Sequence, residues 1–179
     1  PGTWYSDAVR YVYANKLFRG ITETKFAPDL AMSRGMLVTV LYRMAGSPDV
    51  EGMVNPFADV SQEQYYGNAV TWAAQEGLVK GMTATKFAPN NPVTREQMAT
   101  ILYRFAMVHN FDVSQKGDLS AYPDGNQVMP YAQDAMVWAV GSGILQGNYT
   151  AGVITLSPCK SATRAQVAVV LMRFLQGLG

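Results

Sequence analysis

Charge, cysteine and long apolar runs are all scarce in this chain. Only 15% of its 179 residues are charged and the formal net charge is +1. No run of Lys or Arg supplies a polyanion track, so nucleic acid is not an expected partner. The single Cys159 excludes an internal disulfide, and with one histidine there is no Cys/His cluster of zinc spacing. No metal or cofactor is expected. No apolar stretch reaches the roughly eighteen residues that span a bilayer, so membrane insertion is not expected either. The chain opens at Pro1 without a start methionine or leader, which reads as a piece of something longer. As a fragment it is expected to be monomeric, with any self-assembly left to the parent protein.

What the chain does have is a segment that recurs. Residues 66–106 match residues 5–45 at roughly two positions in five, without a gap, after a shift of 61. A looser third copy ends in Thr163, Arg164, Ala165 and Gln166 followed by VAVVLMRFL. A repeat of this period is one supersecondary unit copied until it buries its own apolar face. The units read as 1–46, 55–108 and 120–177, forming one combined domain.

Each copy shares a plan. A first helix carries an apolar stripe: Val9, Val12 and Tyr13; Val70, Ala73 and Ala74; Met136, Val137 and Val140. A loop follows with Gly20, Gly81 or Gly147, where glycine points to a positive φ or a close backbone approach. The loop runs on to Phe26-Ala27-Pro28, Phe87-Ala88-Pro89 or Leu156-Ser157-Pro158. A second helix then starts at Ser33, Thr94 or Thr163, each a favourable N-cap. Its buried face repeats at helical spacing: Leu37, Val40, Leu41, Met44; Met98, Ile101, Leu102, Phe105; Val167, Val170, Leu171, Phe174. The third copy carries about three extra residues near Tyr149–Gly152, so its loop should differ. The expected fold is all-α, with six helices packed around one pseudo-threefold axis.

A short lead-in, Phe57-Ala58-Asp59-Val60, precedes copy two, and Tyr122-Pro123-Asp124-Gly125 takes its place before copy three. Together with an Ala-Val pair, a Trp three residues after the Ala, a Gly-x-x-x-Gly step, Phe-x-Pro and a Thr-Arg opening to the second helix, these residues resemble the S-layer homology (SLH) family in its triplet form. Copy two carries nearly all of the pattern: Phe57, Asp59, Ala69, Trp72, Gly77, Gly81, Phe87, Pro89, Thr94, Arg95 and Glu96. Copy three keeps Trp138, Gly143, Gly147, Pro158, Thr163 and Arg164, and copy one keeps Gly20, Phe26, Pro28 and Arg34. The resemblance implies a three-pronged helical bundle with grooves between the prongs. It implies noncovalent anchoring at the bacterial cell surface by binding secondary cell-wall polysaccharide, with pyruvylated N-acetylmannosamine as the ligand class. It also implies that the motif arginine, the loop glycine and nearby Asp and Trp side chains line the grooves.

Arg34, Arg95 and Arg164 each follow an N-cap, where a cation opposes the helix dipole. Two readings stay open. The guanidinium and free helix N–H groups could together receive a carboxylate, or each arginine could brace its own loop by bonding carbonyls or pair with a nearby acid. Trp72 and Trp138, with Tyr11 in the same place in copy one, are either core residues or groove walls for a sugar ring. Asp7, Asn68 and Asp134 sit near the first helix starts, where they stabilise the helix or accept from sugar hydroxyls. Trp4 stands apart near the first helix start, with partial exposure expected. Gly20, Gly81 and Gly147 serve loop geometry, or access for a sugar, or both. Asp59 and Asp124 read as turn or cap residues, and Arg43, Arg104 and Arg173 as structural cations in last turns. Copy one reads Ser33-Arg34-Gly35-Met36 and copy three ends its motif in Gln166, so unequal grooves are expected.

Catalysis is not expected. His109 stands alone, Cys159 has nothing to activate it, and carboxylates occur singly rather than as a cleft pair. The competing reading is a helical protein-interaction module on the cell surface, since helical hairpins in tandem also build peptide-binding solenoids.

Overall fold

The apolar stripes become six α-helices in a computed structural model that describes residues 2–20 and 25–177. Residues 21–24, part of the first repeat unit, lie outside them. The first helices of the copies are α1 (Ser6–Ala14), α3 (Gly67–Gln75) and α5 (Gln133–Gly141), and the second helices are α2 (Arg34–Met44), α4 (Arg95–Val108) and α6 (Arg164–Gln176). No helix is long and apolar enough to cross a membrane.

The second helices begin where their caps predict. Ser33, Thr94 and Thr163 are extended, and each hydroxyl accepts from the third helical N–H, of Met36, Gln97 or Gln166. Gln97 and Gln166 return the bond to the cap backbone, closing capping boxes. Of the predicted stripe on these helices only Met44 is incompletely buried. On α1 the expectation fails at Tyr13, which is exposed. Ala8 and Val12, four residues apart, fill the buried line of that short helix, and Tyr13 falls about 100° further round. The first helices end on a left-handed residue, Lys16, Gly77 or Gly143, which turns the chain into its loop.

Copies join by backbone in a closed ring. The N–H of Met32 donates to Ala162 O at 2.8 Å, that of Ala162 to Val93 O at 2.9 Å, and that of Val93 back to Met32 O at 2.8 Å. The three residues hold equivalent places just ahead of the second helices, so this triangle marks the pseudo-threefold axis. Around it, α1 packs on α6, α2 on α3 and α4 on α5. Each prong therefore takes its two helices from two copies, and the sequence repeat is not the packing unit. The extra residues of copy three fold into an antiparallel hairpin, β1 (Asn148–Thr150) and β2 (Val153–Thr155). Its two turn residues, Ala151 and Gly152, both have positive φ, as a tight hairpin turn requires.

The lead-in acids do more than cap a turn. Asp59 accepts from Phe87 N–H at 2.8 Å and Ala88 N–H at 2.7 Å. Asp124 does the same for Leu156 and Ser157, at 2.8 and 2.7 Å. Ala88 and Ser157 are left-handed, with φ 58° and 50°. That conformation is unfavourable for a residue with a Cβ by about 1–2 kcal/mol, and two charge-assisted bonds on consecutive N–H groups offset it. The turn pushes Phe87 or Leu156 fully into the core. Partial burial works to raise the Asp59 pKa, but the Phe87 and Ala88 N–H bonds prevail and hold it below the ordinary carboxylate value. Stability from this carboxylate is therefore complete above the unfolded value of 3.8 and lost as pH falls through the lower folded one. Asp59→Ala is expected to remove about 3 kcal/mol at neutral pH. Urea midpoints of wild type and variant should draw together as pH falls below the ordinary carboxylate range.

Candidate functional site

The three motif arginines are almost entirely enclosed, Arg34 being 5%, Arg95 2% and Arg164 4% exposed. Each reaches out of its own copy and forks onto the loop of the next. Arg34 Nε donates to Phe87 O at 2.9 Å and Nη2 to Lys80 O at 3.2 Å. Arg95 donates to Leu156 O at 2.7 Å and Gln146 O at 3.0 Å. Arg164 closes the ring on Phe26 O and Arg19 O, both at 2.8 Å. Arg34 also lies over the Phe87 ring and Arg164 over Phe26, at 4.6 and 4.8 Å from the centroids. Burial pushes the Arg95 guanidinium down to about 10, against the pull of Asp124, so it stays charged at neutral pH.

Both site readings of these arginines need correction. They brace a loop, but the neighbour's rather than their own. The helix N–H groups beside them are not free. The first N–H of each second helix, on Arg34, Arg95 or Arg164, donates to Asn91, Lys160 or Leu30 O, and the second, on Gly35, Glu96 or Ala165, to Pro89, Pro158 or Pro28 O. The third goes to the cap hydroxyl. The first two donors of each helix are spent on closing the ring and the third on the helix's own cap.

Each fork lies at the floor of a groove, and each groove draws on all three copies. The copy-one groove, about 260 Å³, holds Gly20 and Arg43 of copy one, Arg164 of copy three and Tyr65 of copy two. The copy-two groove, about 320 Å³, holds Gly81, Arg104, Arg34 and Tyr131 in the same places. The copy-three groove, about 430 Å³, holds Gly147, Arg173, Arg95 and Trp4, with Tyr149 of the hairpin added. One further position differs by charge: Arg19, Lys80 and Gln146. A wider cavity of about 930 Å³ adjoins the copy-one groove, sharing Phe18, Arg19, Gly20 and Arg43.

Arg43, Arg104 and Arg173 are thus groove residues; Arg43 and Arg173 are also last-turn cations, whereas α4 runs on to Val108 and leaves Arg104 short of its last turn. They donate to Leu17, Leu78 and Ile144 O, at 3.0, 3.3 and 3.4 Å, and remain half-buried. At least two arginines and an exposed aromatic ring per groove is an arrangement suited to a carboxylate attached to a sugar: charge for the acid, an apolar face for the ring.

The remaining candidates divide. Gly81 and Gly147 line grooves, but the protein itself forbids a side chain there. A Cβ on Gly81 would collide with Thr83 O and Lys86 O, and one on Gly147 with the Ile154 side chain. Trp72 and Trp138 do not line a groove. They are 3% and 2% exposed, packed on Tyr42 and Phe105 and on Tyr103 and Phe174. Helical spacing aims them between the helices of a prong. Tyr11 likewise packs partly against the core. Asp7, Asn68 and Asp134 are exposed in the first turns and line none of the three grooves; Asp7 pairs with Arg10 at 3.8 Å.

The aromatic walls are instead Trp4, Tyr65 and Tyr131, exposed by 67, 59 and 52%. Trp4 was noticed singly and the two tyrosines were missed. The available signal was alignment: all three stand four residues before the Ala of the Ala-Val or Ala-Met pair, an aromatic at one place in every copy.

The S-layer homology domain model matches residues 1–35 and 56–99. The surface-layer 125 kDa protein of Lysinibacillus sphaericus is 31% identical over 96% of this chain, which covers 14% of that relative. An endoglucanase of a Bacillus species is 28% identical over 97% of the chain, and an amylopullulanase of Thermoanaerobacterium thermosulfurigenes 24% over 98%. The chain spans 18% and 9% of those two enzymes, so the similarity lies in a small shared region. Such regions are non-catalytic anchoring modules, and the relatives place this one outside the cell, at its surface. With its motif in three copies closed into one helical ring, the chain belongs to the S-layer homology family.

Proposed function

We propose that this module anchors its parent protein by binding a carboxylate-bearing secondary cell-wall polysaccharide, with pyruvylated N-acetylmannosamine units seated in the grooves. The observation that carries the reading is that each groove repeats, at equivalent places, a pair of arginines and an exposed aromatic ring, to which the copy-one groove adds Arg19 and the copy-three groove Tyr149. Each motif arginine commits two N–H groups to carbonyls, which leaves donors of a preorganised guanidinium for an acid. The second arginine supplies charge from the opposite wall. Arg95 stays charged at neutral pH even with its lowered pKa, so affinity at its groove follows the ligand's charge.

Wall sacculi carrying the polymer are expected to retain the chain, and sacculi stripped of the polymer to lose it. Mild acid that removes the ketals should weaken retention at least tenfold, and moderate salt should weaken it as well. Equal retention after ketal removal would overturn carboxylate recognition. Retention on polymer-free sacculi or on a surface protein would favour a helical protein-interaction module instead.

A further inference from the structure

We infer that Glu96 is a positioning residue that holds Tyr131 in one orientation at the copy-two groove and makes that groove the best organised of the three. The inference rests on the groove reading above for its ligand, though not for its geometry. Glu96 occupies the third place of the Thr94-Arg95-Glu96-Gln97 motif and is buried, 3% exposed. It neither pairs with Arg95 nor caps α4, a role that Gln97 fills. One carboxylate oxygen accepts from the Tyr131 hydroxyl at 3.0 Å, and the other from the Met129 N–H at 3.0 Å.

These two bonds act on both ends of one side chain. Met129 immediately precedes the short 3-10 turn Pro130–Ala132 that carries Tyr131, so its N–H bond pins the backbone from which the ring projects. The hydroxyl bond pins the far end of the ring. A buried carboxylate with two donors resists leaving them, because each vacated bond exposes an unsatisfied charge to the protein interior. Burial, and then the bond to Glu96, push the Tyr131 phenol up to about 12, which keeps it a donor. The ring stands within reach of both groove arginines, Arg34 and Arg104.

Among the described residues the other grooves have no such device. The places equivalent to Glu96 are Gly35 and Ala165, neither with a polar side chain to offer Tyr65 or Trp4. A ligand that packs on Tyr65 or Trp4 must order a freer ring. On Tyr131 that ordering is already done, an advantage of about three- to tenfold in affinity for one immobilised side chain.

The test uses the whole chain with isotope-labelled tyrosine. Three-bond couplings at Tyr131 should report a single χ1 rotamer in the wild type and those at Tyr65 an average. Glu96→Ala should average Tyr131, and Glu96→Gln, whose amide oxygen can accept from the phenol but whose NH2 cannot accept from Met129, should give intermediate couplings. Titration with the methyl glycoside of pyruvylated N-acetylmannosamine, followed at each tyrosine ring separately, should then show about three- to tenfold weaker binding at Tyr131 in Glu96→Ala. Binding at Tyr65 should not change. If Glu96→Ala does not fold, Tyr131→Phe, which keeps the ring and drops the hydroxyl, is prepared with labelled phenylalanine and reads the same couplings and affinity at position 131. A Tyr131 as averaged as Tyr65 in the wild type overturns the inference. So does an affinity at Tyr131 indifferent to loss of the fixed rotamer. A sugar that shifts no ring in the wild type overturns the carbohydrate reading instead, while the couplings still decide the positioning role.

Discussion

Arg95→Ala is expected to lower the stability of the whole ring by about 3–5 kcal/mol. Its guanidinium is the buried partner of Leu156 O and Gln146 O, two carbonyls on a different copy. Removing it leaves both without their donor, each at about 1–3 kcal/mol, and leaves a gap where the stem was packed. For a chain of this size the loss corresponds to a fall in melting temperature of roughly 10 °C, measurable by circular dichroism. Arg95→Lys should fall between, because an ammonium cannot span two carbonyls in the geometry of a fork. A shift below about 1 kcal/mol for Arg95→Ala would mean that the forks do not hold the copies together. The same reasoning bears on function. Lost wall binding in this variant would mix a missing ligand contact with a loosened ring, so the exposed side chains make the cleaner test.

Trp4→Ala, Tyr65→Ala and Tyr131→Ala combined are expected to reduce retention on polymer-bearing walls by about a hundredfold or more. The three rings are more than half exposed, so Trp4→Ala and Tyr65→Ala should hardly change melting, whereas Tyr131→Ala also leaves the buried Glu96 carboxylate short of one donor, about 1–3 kcal/mol. Each ring is the apolar wall of one groove, and its loss should weaken that groove by about tenfold. A polymer presents its units in series, so grooves on one chain engage it together and their losses multiply. Each single variant should therefore show a milder defect than the triple. Wild-type retention by the triple variant would remove the aromatic walls from the account and leave the arginines alone.

Much of the fold was legible because it is written in local chemistry. The caps Ser33, Thr94 and Thr163, the i, i+3, i+4 stripes and the three-copy alignment each report on a few neighbouring residues, and the second helices begin where those signals place them. The site was less legible because its parts come from three copies. Arg34 meets a loop 46–53 residues away, and Arg164 one 138–145 residues away. No spacing within a copy encodes those partners. The tryptophans misled for a related reason: an indole on a helix suits a groove or a core equally well, and only the packing of α2 on α3 and of α4 on α5 decides between them.

By itself the sequence determined the all-α class, the number of copies, the helix starts and the family, since each depends on short-range pattern. Only the tertiary structure decided that the ring closes copy to neighbour, through the backbone triangle of Met32, Val93 and Ala162 and the three arginine forks. That closure spends the helix N–H groups on carbonyls and turns Trp72 and Trp138 inward. It leaves Trp4, Tyr65 and Tyr131 facing the arginine pairs, because the walls of a groove between copies are chosen by how the copies pack.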